Sequence, residues 1–210
     1  MLLPIAFGVT GLLLGFLADR LAARWPRHAD GGIRPIDWRT LVVSGAGALA
    51  LGALPLRWSE PRDLAILALA FVALIVLLAT DLDQKLLPDL VTFPLAAFSL
   101  LVLILGWNPL VNGRELGVAS ALAAALIAPA FLFATNLLLR GGLGMGDLKL
   151  AVGLGLIAGL TRLVGGFFLA SAFSAVVLVL LLVSQRIGRK SAIPFGPILI
   201  AAGIFAAFLN

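Results

Sequence analysis

The chain has 210 residues, 62% of them hydrophobic and only 12% charged, with a mean hydropathy of +1.16. Soluble domains carry about 25% charged residues, so the composition excludes a water-solvated globule and implies an integral membrane protein. A net charge of +5 gives no reason to expect nucleic acid as a partner, because the charges fall in short gaps between apolar runs, where membrane topology accounts for them.

A spanning helix needs about 20 mostly apolar residues, within a range of roughly 17–25. In chain order this predicts spans near 2–18, 41–56, 64–80, 90–107, 116–138, 144–160, 163–184 and 193–209. The expected fold is all-α: a polytopic membrane helix bundle of about eight transmembrane helices, one membrane-embedded domain over 1–210. No A-x-A-like cleavage site follows the first run, which is read as a retained span. In the second, "SGAGALALGA" (44–53) supplies small residues suited to close helix packing. The sixth span is short: residues 148–160 cannot cross alone, and spanning length is reached only if the helix starts near Gly144. That start draws Asp147 to membrane depth. One helix over 148–184 would run about 55 Å at 1.5 Å per residue, far more than a bilayer, so a turn is expected in "GLTRL" around Arg162.

Counted by connection, Lys and Arg number 11 in the odd-numbered loops and 4 in the even ones. The positive-inside rule then places the odd loops in the cytoplasm and both termini outside. Trp25, Trp38, Trp58 and Trp107 fall at span boundaries, as an interfacial aromatic belt predicts.

Acidic residues concentrate on that expected cytoplasmic face. The third loop, "ATDLDQKLLPDLVTFP", holds Asp81, Asp83 and Asp89, and the fifth, "RGGLGMGDLKL" (140–150), holds Asp147. Asp83 and Asp89 read as solvated loop charges pairing weakly with Lys85. Asp81 and Asp147 sit at the membrane boundary. There, burial of a charge costs up to about 2.5–3.5 kcal/mol at the bilayer centre and less near the interface, so such residues are functional candidates. Two carboxylates brought close share one proton. One then acts as base toward water while the other donates to a peptide carbonyl, and the two apparent pKa values belong to the pair. Asp81 and Asp147 lie 66 positions apart, so only the fold can join them. Glycines beside Asp147 leave room for an extended substrate backbone. The same residues also suit an ion-coupled transporter or channel with a broken helix, although no inverted repeat is visible. A non-catalytic assembly partner of a pilus or secretion machine is a third reading.

"GMGDLKL" (144–150), "TDLDQKLLPDLVTFPL" (80–95) and "IPFGPILIAAG" (193–203) resemble, in order, three segments of the type IV prepilin peptidase family, the GxGD membrane aspartic proteases. "GLLLGFLADRLAARWP" (11–26) is similar to the family's first helix, less closely. The resemblance implies Asp81 and Asp147 as the catalytic pair. It also implies that Gly144 and Gly146 shape the second half of the site, with Lys149, Pro88 and Asp89 in support. The implied substrates are prepilins or pseudopilins, whose basic leader is removed at the cytoplasmic side of the inner membrane. The lipid bilayer is the other expected partner, no nucleic acid is expected, and the sequence leaves the oligomeric state open.

Two departures stand out. Full-length bacterial members carry a larger first cytoplasmic loop with paired CxxC motifs that bind zinc, and they N-methylate the product with S-adenosylmethionine. Here the first loop has about 20 residues, "RLAARWPRHADGGIRPIDWR", and the chain has no cysteine. A tetrahedral thiolate site cannot be built from it, and His28, the one histidine, makes no metal site. The expectation is therefore no metal and no cofactor, and the family's methyltransferase activity is not carried over to this chain. The family's "GSF-N" in helix one stands here as "GFLAD" (15–19), a second departure pointing the same way.

Overall fold

An apolar run in lipid must satisfy its own backbone hydrogen bonds, which makes the helix the local solution for each long run. The computed structural model describes residues 2–26, 32–113, 116–138, 144–183 and 195–210. Among them all regular structure is helical: α1 (Leu2–Ala22), α2 (Trp38–Arg57), α3 (Pro61–Gln84), α4 (Asp89–Ile104), α5 (Gly117–Leu138), α6 (Met145–Val183) and α7 (Gly196–Ala206). Five of these are long and apolar enough to cross a membrane, while α4 and α7 are shorter apolar helices. Leu41, Leu49, Leu56, Leu126 and Phe168 point outward, each at least 70% exposed. Apolar side chains on that scale need a hydrocarbon surround, as in a multi-pass membrane protein. Several residues weighed above lie outside the described residues: His28, the loop cations Arg27, Arg114, Arg140, Arg186, Arg189 and Lys190, and Ile193 and Pro194 of the last matched segment.

Local sequence explains where the helices stop. Asp37 caps α2 by accepting from the Arg39 N–H at 2.9 Å, and the Asp37 N–H donates to Thr40 Oγ1, a reciprocal cap that satisfies otherwise orphan groups. Pro61 opens α3, where a missing N–H costs nothing. Lys85, left-handed at φ 54°, closes it. Thus α3 runs past the expected end at residue 80, and Asp81 and Asp83 belong to its last turn and not to a loop.

α3 is the most enclosed helix, burying Leu67, Phe71, Leu74 and Leu77 against Leu54, Leu154 and Ile200 in one core. α1 and α2 pair most closely. Gly11 lies against the backbone of Gly47, Gly15 against Val43 and Ser44, and Gly8 against Gly52. The small residues of 44–53 therefore serve backbone-to-backbone packing.

The sixth and seventh expected spans both lie within α6 and meet at a break. Gly159, at φ 70° and ψ 170°, interrupts the helix, a conformation that glycine tolerates. It is the first residue of "GLTRL", whereas Arg162, where the turn was expected, is helical and buried. A break in a membrane helix leaves peptide groups without partners, and side chains from neighbouring elements supply them. The Asn108 amide donates to Leu156 O at 3.0 Å, and the Leu160 N–H donates to Ser120 Oγ at 2.9 Å. At this same end of the bundle the Trp58 indole N–H donates to Ala207 O at 3.1 Å, and Arg162 lies over the Trp58 ring. The end of α3, the starts of α4, α6 and α7, and the connection from α1 to α2 gather at the other.

Candidate active site

Asp81 ends up buried, at 5% exposure, because α3 does not stop at the expected boundary. Its neighbours come from distant sequence. Gly196, the first residue of α7, packs so closely that a Cβ there would lie 2.7 Å from Asp81 Cγ and Oδ2. Asp147, in the first turn of α6 and 8% exposed, is near enough for its charge to act on Asp81, as does that of Lys85. The fold therefore buries two carboxylates from separate helix ends at the same end of the bundle. Asp81 Oδ2 is buried with no hydrogen-bond partner among the described residues, an acceptor left open inside the protein. Asp147 is held in place by its own turn: the Gly144 N–H donates to Asp147 Oδ2 at 3.0 Å, while the Asp147 N–H donates to Gly144 O.

The glycines divide the work. Gly144 supplies that backbone donor. Gly146 lets the start of α6 approach the segment before α4, since a Cβ there would come within 2.8 Å of Leu87 Cβ. Pro88 is the N-cap residue of α4 and Asp89 its first residue. Asp89 bonds Lys149 with both oxygens, at 2.6 and 2.8 Å, and Lys149 also lies over the Phe93 ring. These two residues clip α4 to α6 and bond each other, not either buried carboxylate. One and two turns beyond Asp147, Ala151 and Leu154 join Leu199, Phe131 and Phe167 around a cavity of about 320 Å³ lined only by apolar side chains.

Residues 68–180 match the Type IV leader peptidase family, and that stretch contains both Asp81 and Asp147. The chain belongs to this family. It is similar to proteins named "Prepilin leader peptidase/N-methyltransferase". One from Burkholderia pseudomallei is 33% identical over 94% of this chain and 62% of its own length. Another, from Pseudomonas putida, is 34% identical over 90% and 59%, and one from Bacillus subtilis is 30% identical over 68% and 54%. The chain spans about three fifths of the length of the first two. No solved structure matches it.

For a leader peptidase family chain, some of the surroundings of Asp81 differ from the sequence expectation. Asp83 is not a solvated loop charge. Its side chain is 1% exposed and is paired with Arg34 at 2.6 Å and Arg39 at 3.1 Å, not with Lys85. Asp89 is the exposed one, paired with Lys149. Gly196, which packs against the Asp81 carboxylate, was not among the expected site residues. Gly196 was visible only as the glycine of "PFGP". Asp19 was visible only as the departure in "GFLAD", and it is fully buried.

The Lys149–Asp89 pair is substantially open to solvent, so its electrostatic worth falls in the range of about 0–1 kcal/mol. Asp89→Asn or Lys149→Met is therefore expected to leave the melting temperature in detergent almost unchanged. A fall of many degrees would show that the pair holds α4 to α6 more strongly than its exposure allows.

Proposed function

We propose that this chain is a membrane aspartic endopeptidase of the GxGD type that removes the basic leader from type IV prepilins or pseudopilins. The observation that supports the reading is the burial of Asp81 and Asp147 at one end of the bundle, near enough for the charge of Asp147 to act on Asp81. The names of the relatives support the substrate class.

Two close carboxylates in a poorly solvated site hold one proton between them. The ionised member takes a proton from water, and the resulting hydroxide adds to the scissile carbonyl carbon. The protonated member donates to the carbonyl oxygen. Collapse of the tetrahedral diol breaks the C–N bond: the carboxyl that took the proton from water gives it to the leaving nitrogen, and one diol hydroxyl gives its proton to the other carboxylate as the carbonyl re-forms, restoring the shared-proton state. Gly144 orients one carboxylate through its N–H. Gly196 removes a side chain that would otherwise fill the space beside Asp81, and Gly146 lets the start of α6 close on Leu87.

We place the odd-numbered connections, and so the site, on the cytoplasmic face of the inner membrane. About eight spans then arise with α6 counted as two segments about Gly159, both termini lie outside, and the whole chain is one domain. Leader removal is assigned to this chain and methyl transfer is not, because the 210 residues hold no cysteine for a zinc loop and "GFLAD" replaces the family's helix-one pattern. Purified protein with a prepilin bearing its leader should release the leader. The mass of the product should be the same with and without S-adenosylmethionine. A gain of one methyl group would overturn the second assignment, and an uncut leader the first.

A further inference from the structure

The polar cluster at the connection from α1 to α2 is larger than a helix cap requires. Asp19, buried on α1, accepts from Thr40 Oγ1 at 2.7 Å and from Arg20 at 2.6 Å, and it is also paired with Arg34. Arg34 reaches Asp37 as well as Asp83, and Arg39 joins Asp83 from α2. Burial pushes the Asp37 carboxyl up, but the Arg39 N–H and the Arg34 guanidinium outweigh it and hold the group below the usual carboxylate range. The next residue of α3, Gln84, donates to Pro26 O at 2.7 Å. Two successive residues of the last turn of α3 are thus tied to the chain that joins α1 and α2.

Burying this many charges brings little net stability, because desolvation offsets most of the attraction. What such a lattice does fix is geometry: the planar guanidinium of Arg34 hydrogen-bonds Asp19 and Asp37 in set directions and ion-pairs with Asp83 through Nε, while Arg39 donates to the same Asp83 oxygen. Asp81 lies two positions before Asp83, so at 3.6 residues per turn the two side chains leave the helix on nearly opposite sides. Asp83 faces the α1–α2 connection, and Asp81 faces Gly196, with Asp147 near enough for its charge to act on it. A rotation of this one turn would move Asp81 away from its partner. The turn is also the end of its helix, closed by a left-handed residue directly after Gln84.

We propose that Asp83 and Arg34 are positioning residues: their buried ion pair holds the last turn of α3 in the rotation that aims Asp81 at Asp147. This rests on the leader peptidase reading for its catalytic consequence, but not for its geometry. Neither residue touches the reacting atoms.

The test uses the full chain in proteoliposomes with a prepilin substrate. Asp83→Asn and Arg34→Gln should lower kcat by about tenfold or more, since small misplacements of a reacting group carry effects of that size. KM should stay within about threefold, because the substrate's own contacts are untouched. Arg34→Lys, which keeps the charge and loses the fork, should recover part of kcat. A second readout needs no activity. The chain has no cysteine, so Asp81→Cys introduces a lone thiol, whose alkylation by a maleimide should be faster by about tenfold when Asp83→Asn is added. Folded variants with unchanged kcat and unchanged labelling would overturn the proposal. So would a parallel loss of folded protein and activity with kcat per folded molecule constant. If Asp83→Asn does not fold, Arg34→Lys decides by the same two measurements. If the unsubstituted chain cuts no leader but the labelling responds, the peptidase reading fails and the positioning stands.

Discussion

Asp81→Asn and Asp147→Asn are each expected to reduce leader cleavage by roughly 10²–10⁴-fold, the range carried by a general acid or base. The double variant should be little worse than either one, because the two groups act as a unit and their effects do not add. Asparagine keeps the volume of the side chain and cannot shuttle the proton. The stability readout separates chemistry from folding. Asp81 Oδ2 has no hydrogen-bond partner among the described residues, so removing its charge takes away a burial cost without orphaning a donor. The melting temperature of Asp81→Asn in detergent should therefore be equal to or above that of the unsubstituted protein. At Asp147 the amide oxygen of asparagine can still accept from the Gly144 N–H, so that variant should fold as well. Folded single variants that still process the leader would sink the aspartic mechanism. If proteoliposomes instead showed an ion flux that vanished with Asp147→Asn, the transporter reading would take its place.

Much of the fold, and the two candidate carboxylates, were legible in the sequence because membrane helices are constrained one at a time. Length and apolarity alone located α1, α2, α3 and α5 to within a few residues, and the shortness of the run after Asp147 placed the start of α6 near Gly144. Asp81 and Asp147 stood out because a charge at the end of an apolar run has few cheap explanations. What the sequence did not show depends on contacts between distant elements. Asp83 looks like Asp89 in a linear reading: both are acids near Lys85 and a proline. Only the packing of the α1–α2 connection against the last turn of α3 buries one and leaves the other exposed. The break in α6 was expected from length, but its position followed backbone chemistry. Gly159 can take φ 70° and Arg162 cannot do so cheaply, and the partners that satisfy the broken turn, Asn108 and Ser120, lie on other elements. Gly196 was hidden for the same reason: nothing in "PFGP" says which side chain the missing Cβ makes room for.

That missing Cβ gives the second large effect. Gly196→Ala would put a methyl group 2.7–2.8 Å from Cγ, Oδ1 and Oδ2 of Asp81, well inside contact distance. Something has to move, and the easiest thing to move is the carboxylate itself, the free end of a side chain with rotatable bonds. Both backbones are held by helices in the bundle core, so relaxation there would cost more, about 1–3 kcal/mol for overpacking. The expected result is a protein whose melting temperature falls by only a few degrees. Its kcat for leader cleavage should fall by roughly 10²-fold, because the acid is turned out of line with Asp147. Gly146→Ala makes the useful contrast. Its Cβ would meet Leu87 Cβ and, at 3.2 Å, the Leu87 carbonyl, neither of which is a free end. That substitution should therefore cost stability first, with activity per folded molecule less affected. The two glycines would thus separate along different axes, one in kcat and the other in melting temperature. If Gly196→Ala lost stability and kept its turnover per folded molecule, the space beside Asp81 would be a matter of packing alone, and Gly196 would have no part in aiming the carboxylate.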